Sequence, residues 1–161
     1  IVYLLGSFGV SVRRSAVTVV EAPSGLATGN WVTQGLPFYS GNVAYSTSIS
    51  ASPKRGQRAV VRIQSYEGVA VRVLVNGEEA GVRGWEPYEF DITDLVSGGR
   101  DTLTVEVLGH RRNSHGPLHM KTARPRWTGP GQYVTRDYDW TDGYTLVPCG
   151  LMKPPVLVVE Q

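Results

Sequence analysis

The chain has 161 residues, a length that fits one domain with extended flanks at most, and its 41% hydrophobic and 19% charged content excludes disorder as a description of the whole. Its 16 Lys and Arg against 14 Asp and Glu give a net charge of +2, scattered apart from Arg13-Arg14 and Arg111-Arg112, which argues against a cationic surface tracking nucleic-acid phosphates. The sole cysteine, Cys149, excludes an intramolecular disulfide, and the apolar runs at 17–20 and 156–159 are far too short to span a bilayer.

Ile1 stands first, with no basic segment followed by an apolar one, so the expectation is a piece of a longer protein rather than a chain with its own signal peptide. β-Branched and aromatic residues recur in short runs broken by Gly, Pro, Asn and Ser, which predicts strands at 1–5, 10–13, 16–22, 42–50, 58–65, 70–75, 88–91, 102–107, 144–147 and 156–160. The clearest alternation is Val71-Arg72-Val73-Leu74-Val75, where the three valines share one face. Asn76-Gly77 follows it, a dipeptide that supplies positive φ cheaply and so closes a tight hairpin. Residues 91–96 have the caps of a single helical turn ended by Gly98-Gly99. Thr102 to Val107 again alternates, with Leu103, Val105 and Val107 inward. Half-buried strands of this kind belong to antiparallel sheets packed face to face, so the fold class is an all-β antiparallel sandwich. From 110 to 143 the pattern stops, and Pro117, Pro125, Pro130 and Gly131 mark a long irregular loop of the sort that carries function.

The segment from Val71 to Val107 resembles the sugar-binding-like β-sandwich of family 2 glycoside hydrolases and the wider galactose-binding-like jelly-roll superfamily. The resemblance rests on Val73-Leu74-Val75-Asn76-Gly77, Gly81, Pro87-Tyr88-Glu89-Phe90-Asp91-Ile92-Thr93, a glycine pair and a last strand. Upstream, Gly35-Leu36-Pro37-Phe38-Tyr39-Ser40-Gly41 with Tyr45 is similar to the entry of accessory sandwiches near the C-terminus of large bacterial glycosidases, including proteins akin to family 106 α-L-rhamnosidases. Asn113-Ser114-His115-Gly116-Pro117-Leu118-His119, Trp140, Tyr144 and Gly150-Leu151 are similar to that group as well. The likeness covers about residues 28–160. It implies one domain over 1–161, a fragment of a larger extracellular or periplasmic glycosidase, whose role is architectural with carbohydrate contact as a further expectation. Its implied partner is the parent chain's catalytic domain, with neither nucleic acid nor membrane among the partners.

Glycoside hydrolysis needs two carboxyl groups ~5–10 Å apart. Glu67, Glu78, Glu79, Glu86, Glu89, Asp137, Asp139 and Asp142 are available, yet none sits in a recognisable catalytic motif, so no catalytic residue is assigned. His110, His115 and His119 lie within ten residues, but the spacing crosses Gly116-Pro117, so structural histidines bonding the backbone are expected rather than a metal centre. No cofactor is called for, although the resemblance leaves room for a structural calcium. Sugars stack their C–H faces on exposed aromatic rings and bond Arg, Asn, Asp or His through their hydroxyls. Trp85, Arg112, Asn113, His115, His119, Trp127, Trp140, Asp142 and Tyr144 are therefore the carbohydrate-binding candidates, set against the plainer expectation that Trp31, Trp127 and Trp140 pin the loop. Two rival readings remain: a protein-docking module using Tyr3, Leu4, Leu5 and Phe8, and, more remotely, a small glycoside hydrolase.

Overall fold

The computed structural model describes residues 4–136 and 138–161; Ile1, Val2, Tyr3 and Asp137, and with them most of the strand expected at 1–5, lie outside the described residues. Leu4 and Leu5 belong to no strand. The chain forms two compact units, Ile1–Ser40 with His110–Cys149 and Gly41–Gly109 with Gly150–Gln161. Among the described residues no helix is long and apolar enough to cross a membrane.

The first unit opens with a hairpin of β1 (Gly9–Arg13) and β2 (Ala16–Val20), paired from Gly9↔Val20 to Arg13↔Ala16. Arg14 takes a positive φ of 57° to reverse the chain. Gly9 is required: a Cβ there would lie 2.6 Å from the carbonyl oxygen of Glu21. A 3-10 turn follows at Trp31–Gln34, capped by Asn30, whose Oδ1 accepts the amides of Val32 and Cys149, both at 3.1 Å. The Trp31 amide donates to the Cys149 carbonyl at 2.9 Å, so the turn is tied to the far end of the loop segment. The rest of this unit is mostly irregular, with a single helical turn α1 (Arg112–His115) and a 3-10 turn at Pro130–Gln132. The strand expected at 144–147 does not form. Its backbone bonds go instead to scattered loop groups, Tyr144 to Arg14, Thr145 to Leu118 and Val147 to the Asn113 side chain, which leaves no ladder to extend.

The second unit is the antiparallel sandwich. Its strands are β3 (Asn42–Ile49), β4 (Arg58–Arg62), β5 (Tyr66–Glu67), β6 (Ala70–Val75), β7 (Glu78–Arg83), β8 (Glu89–Asp91), β9 (Asp101–Leu108), β10 (Gly150–Leu151) and β11 (Val156–Glu160). One sheet has the order β3-β9-β6-β7, a second β11-β4-β8, and β10 pairs β5. The alternation predicted the inward faces: Val71, Val73, Val75, Leu103, Val105 and Val107 are buried, and Ala59, Val60, Val61, Phe90 and Ile92 are buried on the three-stranded sheet. Each such aliphatic side chain contributes roughly 1.5–3 kcal/mol on leaving water.

The Asn76-Gly77 hairpin forms as expected, joining β6 to β7 with φ of 53° and 87° at the two central residues. It is stapled to β9. The Asn76 side-chain amide donates to Asp101 Oδ1 and its oxygen accepts the Thr102 amide, both at 2.9 Å. The helical turn expected at 91–96 is a hydrogen-bonded turn instead: Asp91 ends β8 and caps the Thr93 amide, while Leu95 and Val96 both donate to the Ile92 carbonyl. Thr93 Oγ1 in turn accepts the Ala59 amide at 3.0 Å, which fixes the exit of β8 against β4 and leaves too few residues for a helix.

Candidate functional site

In the sandwich unit, β7 ends at Arg83 and the chain turns through Gly84 and Trp85 to a cis Glu86-Pro87 bond before β8. The indole of Trp85, on the turn between β7 and the edge strand β8, is 85% exposed. A cleft of about 660 Å³ lies beside it, with Arg58, Val82, Glu86, Pro87 and Asp91 among its walls. Arg83 lies over the Phe90 ring, 5.6 Å from its centre, and its Nη1 donates to the Val82 carbonyl. Arg58 approaches Asp91 at 3.7 Å and Glu160 at 3.1 Å, and Arg62 bridges Glu89 at 2.8 Å and Glu160 at 2.7 Å across three strands. Those carboxylates, Glu89 first, raise the Arg62 guanidinium above its ordinary pKa. The Thr93 hydroxyl and amide hold the Asp91 carboxyl below the usual range. Burial, with Tyr88 edge-on at 5.0 Å, pushes the Tyr66 phenol up to about 12. The cleft thus offers one exposed aromatic plate, fixed cations and fixed acceptors on rigid strands, the equipment that grips a sugar face and its hydroxyls.

The remaining candidates fall in the first unit and are not equivalent. Residues 118–121 run antiparallel to 139–145, with Met120 bridging Trp140. His119 stacks on Trp140 at 4.6 Å and leans on Tyr144 at 4.8 Å, and its Nδ1 bonds the Thr141 carbonyl at 3.1 Å. Trp140 Nε1 donates to Asp142 Oδ1 at 3.1 Å, so the half-buried His119, Trp140 and Tyr144 form one cluster with the exposed Asp142 at its rim. Asn113 is buried with both ends of its amide bonded to Val147. His115 is exposed, its Nδ1 2.8 Å from Ser114 Oγ. His110 Nε2 bonds the Pro148 carbonyl. Trp127 is 67% exposed and does not pin the loop, whereas Trp31 is completely buried, edge-on to Tyr39. Trp127 bends over Gly129, whose hydrogen faces the ring; local glycine, not the core, holds it. Arg112 has its guanidinium nitrogens buried with no hydrogen-bond partner.

Sequence reasoning selected Trp85 but not the cleft residues around it. Arg58 and Asp91 are 27 and 6 residues away in sequence, and only the β4–β8 pairing brings them to the same edge. Among the described residues no group of three or more His, Cys, Asp or Glu converges on a point that could hold a metal ion.

No family model matches the chain. No curated protein matches it either. Solved structures do. Over 99% of its length the chain superposes on part of a rhamnosidase from Novosphingobium sp. PP1Y, with a TM-score of 0.57 and 22% identity. An FMN-binding β-glucuronidase from Facaelibacterium prausnitzii L2-6 matches 94% of the chain over 21% of its own, at a TM-score of 0.48 and 22% identity. A GH2 β-galacturonidase from Eisenbergiella tayi matches 96% over 22% of its own, at a TM-score of 0.47 and 20% identity. The chain spans only 15% of the rhamnosidase's length. It therefore has the fold of a domain-sized segment within a glycoside hydrolase.

Proposed function

We propose that the chain is a non-catalytic accessory domain of a bacterial carbohydrate-active enzyme, architectural in its main role and in contact with carbohydrate at the Trp85 cleft. The observation that carries this reading is the superposition of nearly the whole chain on a small part of a rhamnosidase, which leaves the greater part of such an enzyme to do the chemistry. Within the chain, Trp85 supports the carbohydrate contact: a large apolar ring held 85% in water on a rigid turn costs solvation unless something covers it. Two of the acids lining the cleft are already engaged, Glu89 with Arg62 and Asp91 with Thr93 and Arg58, which suits those two to hydroxyl recognition better than to proton transfer.

The test is calorimetric titration of the protein with rhamnose-, galactose- and glucose-containing oligosaccharides up to millimolar concentration, beside the variant Trp85→Ala. Stacking of one ring is worth about 0.5–1.5 kcal/mol, so the variant should bind roughly threefold to tenfold more weakly. Absence of any binding by the unaltered protein removes the carbohydrate contact and leaves the architectural role.

One observation favours a second reading, docking to a protein. All five residues of β2, Ala16–Val20, are exposed and uncharged, and Leu4 and Leu5 are 64% and 91% exposed, while Phe8 is half-buried and Tyr3 lies outside the described residues. Concentration-dependent association without sugar, measured by sedimentation, would favour it.

A further inference from the structure

The helical turn α1 carries a charge that none of the described residues satisfies. Arg112 Nε, Nη1 and Nη2 are all buried and none has a hydrogen-bond partner, although Arg58, Arg62 and Arg72 all find carboxylates. Its side chain folds back along the turn and lies against Gly116: a Cβ there would stand 2.7 Å from both Cδ and Nη1. The turn's own carbonyl, that of Arg112, is already used by the Gly116 amide. Tyr133 reaches the same helical turn, its hydroxyl donating to the His115 carbonyl at 2.9 Å. Burial pushes the guanidinium below its ordinary pKa, and the Tyr133 phenol opposes that shift.

An unpaired guanidinium out of water is costly, and buried charges are ordinarily met by an acceptor. Five N–H donors in a planar fork match a two-oxygen anion. Tyr133 also lines an open hollow of about 490 Å³ with Val134, Thr135 and Arg136, so a second cation borders the hollow that Tyr133 separates from the turn. Tyr133 itself is 56% exposed, sits just after the 3-10 turn Pro130–Gln132, and is held in place by one hydrogen bond to a carbonyl. It can swing outward at the cost of that bond.

We propose that Arg112 is the anchor of a receptor for the carboxylate of an acidic sugar, closed over by Tyr133 until the ligand enters from the hollow at Arg136. The inference rests on the carbohydrate-contact reading above and adds to it a ligand class, uronic-acid-containing oligosaccharides, and a second location. No bond is made or broken: the carboxylate enters ionised and accepts from the guanidinium, and the His115 carbonyl released by Tyr133 turns to water.

The experiment is titration of the whole chain with galacturonate and glucuronate oligosaccharides, their neutral galactose and glucose counterparts, galactose 6-sulfate, acetate and inorganic sulfate, read by NMR at the Arg112 Nε–H signal. The expected result is a shift of that signal with the uronates and not with the neutral sugars. Arg112→Gln should weaken uronate binding by about tenfold or more, the usual cost of removing one member of a buried charge pair. Tyr133→Phe, which loses only the closing bond, should tighten it by about twofold to tenfold.

A uronate affinity unchanged in folded Arg112→Gln, or equal response to neutral and acidic sugars, overturns the proposal. So does an equal response to acetate or sulfate, which marks a simple anion site, and a response to the sulfated sugar alone, which marks the wrong anion. If Arg112→Gln does not fold, the Arg112 signal of the unaltered protein and the Tyr133→Phe arm decide the matter. Trp85→Ala separates the two readings: neutral sugars lost in that variant with a silent Arg112 sink this inference alone, and no sugar response at either place sinks both.

Discussion

Asn113 and Val147 are joined by two reciprocal hydrogen bonds, the side-chain amide donating to the Val147 carbonyl at 2.8 Å and its oxygen accepting the Val147 amide at 2.9 Å. One buried side chain thereby imitates the edge of a strand, and it closes a loop of 34 residues that has almost no regular structure of its own.

Asn113→Ala should therefore lower the stability of the first unit by about 2–4 kcal/mol, because both backbone groups of Val147 lose their partner in a buried place. Differential scanning calorimetry reads the loss. Asn113→Asp keeps the acceptor but sets an anion against a carbonyl, and should be no better than the alanine. A variant as stable as the parent would show that the loop is held by something else.

Acid should loosen the Asn76-Gly77 hairpin. Asn76, then Ser97, hydrogen-bond the ionised Asp101 and hold its carboxyl below the usual range. A carboxyl depressed in the folded state adds stability that is complete above its unfolded pKa of about 3.9 and disappears as pH falls through the lower folded value. The thermal midpoint should fall as pH drops below about 4, and Asp101→Asn should flatten that part of the curve while lowering stability at neutral pH. A midpoint with the same acid slope in both proteins would contradict the assignment.

Two tryptophans should behave in opposite ways on truncation. Trp31 is completely buried and Trp85 is 85% exposed. Trp31→Ala should cost about 3–5 kcal/mol through the cavity it leaves, whereas Trp85→Ala should stay within about 0.5 kcal/mol of the parent. Denaturant unfolding followed by far-ultraviolet circular dichroism checks both. A large loss at Trp85 would make it a packing residue and remove it from the cleft's candidate ligand surface.

Gly129→Ala should move an indole without unfolding anything. The new Cβ would fall 2.0 Å from the nearest ring atom of Trp127, at the free end of an exposed side chain that can turn aside. Tryptophan emission should change, with stability altered by no more than about 0.5 kcal/mol. An unchanged spectrum would show that the ring does not rest on Gly129.

The sandwich was legible because its physics is local. Val71, Val73 and Val75, then Leu103, Val105 and Val107, alternate as a half-buried strand must, and Asn76-Gly77 states the turn between the first of these strands and its neighbour. Phe90 and the Asp91–Thr93 pair also stand where their types suggest, one in the core and the others capping the strand's exit. What could not be read was which partners a polar side chain would find. Asn113 resembles a sugar ligand in sequence and in the fold is bonded twice to Val147, a residue 34 positions on. Arg112, beside it, has the same polarity and no partner at all. Trp31 and Trp127 are chemically identical, yet the backbone of Trp31 is tied to Cys149 and its ring is buried, whereas the ring of Trp127 rests on Gly129 and is exposed. The strand expected at 144–147 failed for the same reason: its β-forming residues meet loop carbonyls rather than a ladder.

The pairing of β4 with β11 joins residues 102 positions apart, as Arg58 and Glu160 show. A ribosome adding about 5–20 residues per second needs some 5–20 s to traverse that interval. Throughout it, Ala59, Val60 and Val61 have emerged while one neighbouring strand has yet to be made. The nascent chain therefore carries an incomplete apolar sheet for seconds, a natural point of engagement for chaperones, and any truncation that removes 156–160 prolongs that state indefinitely.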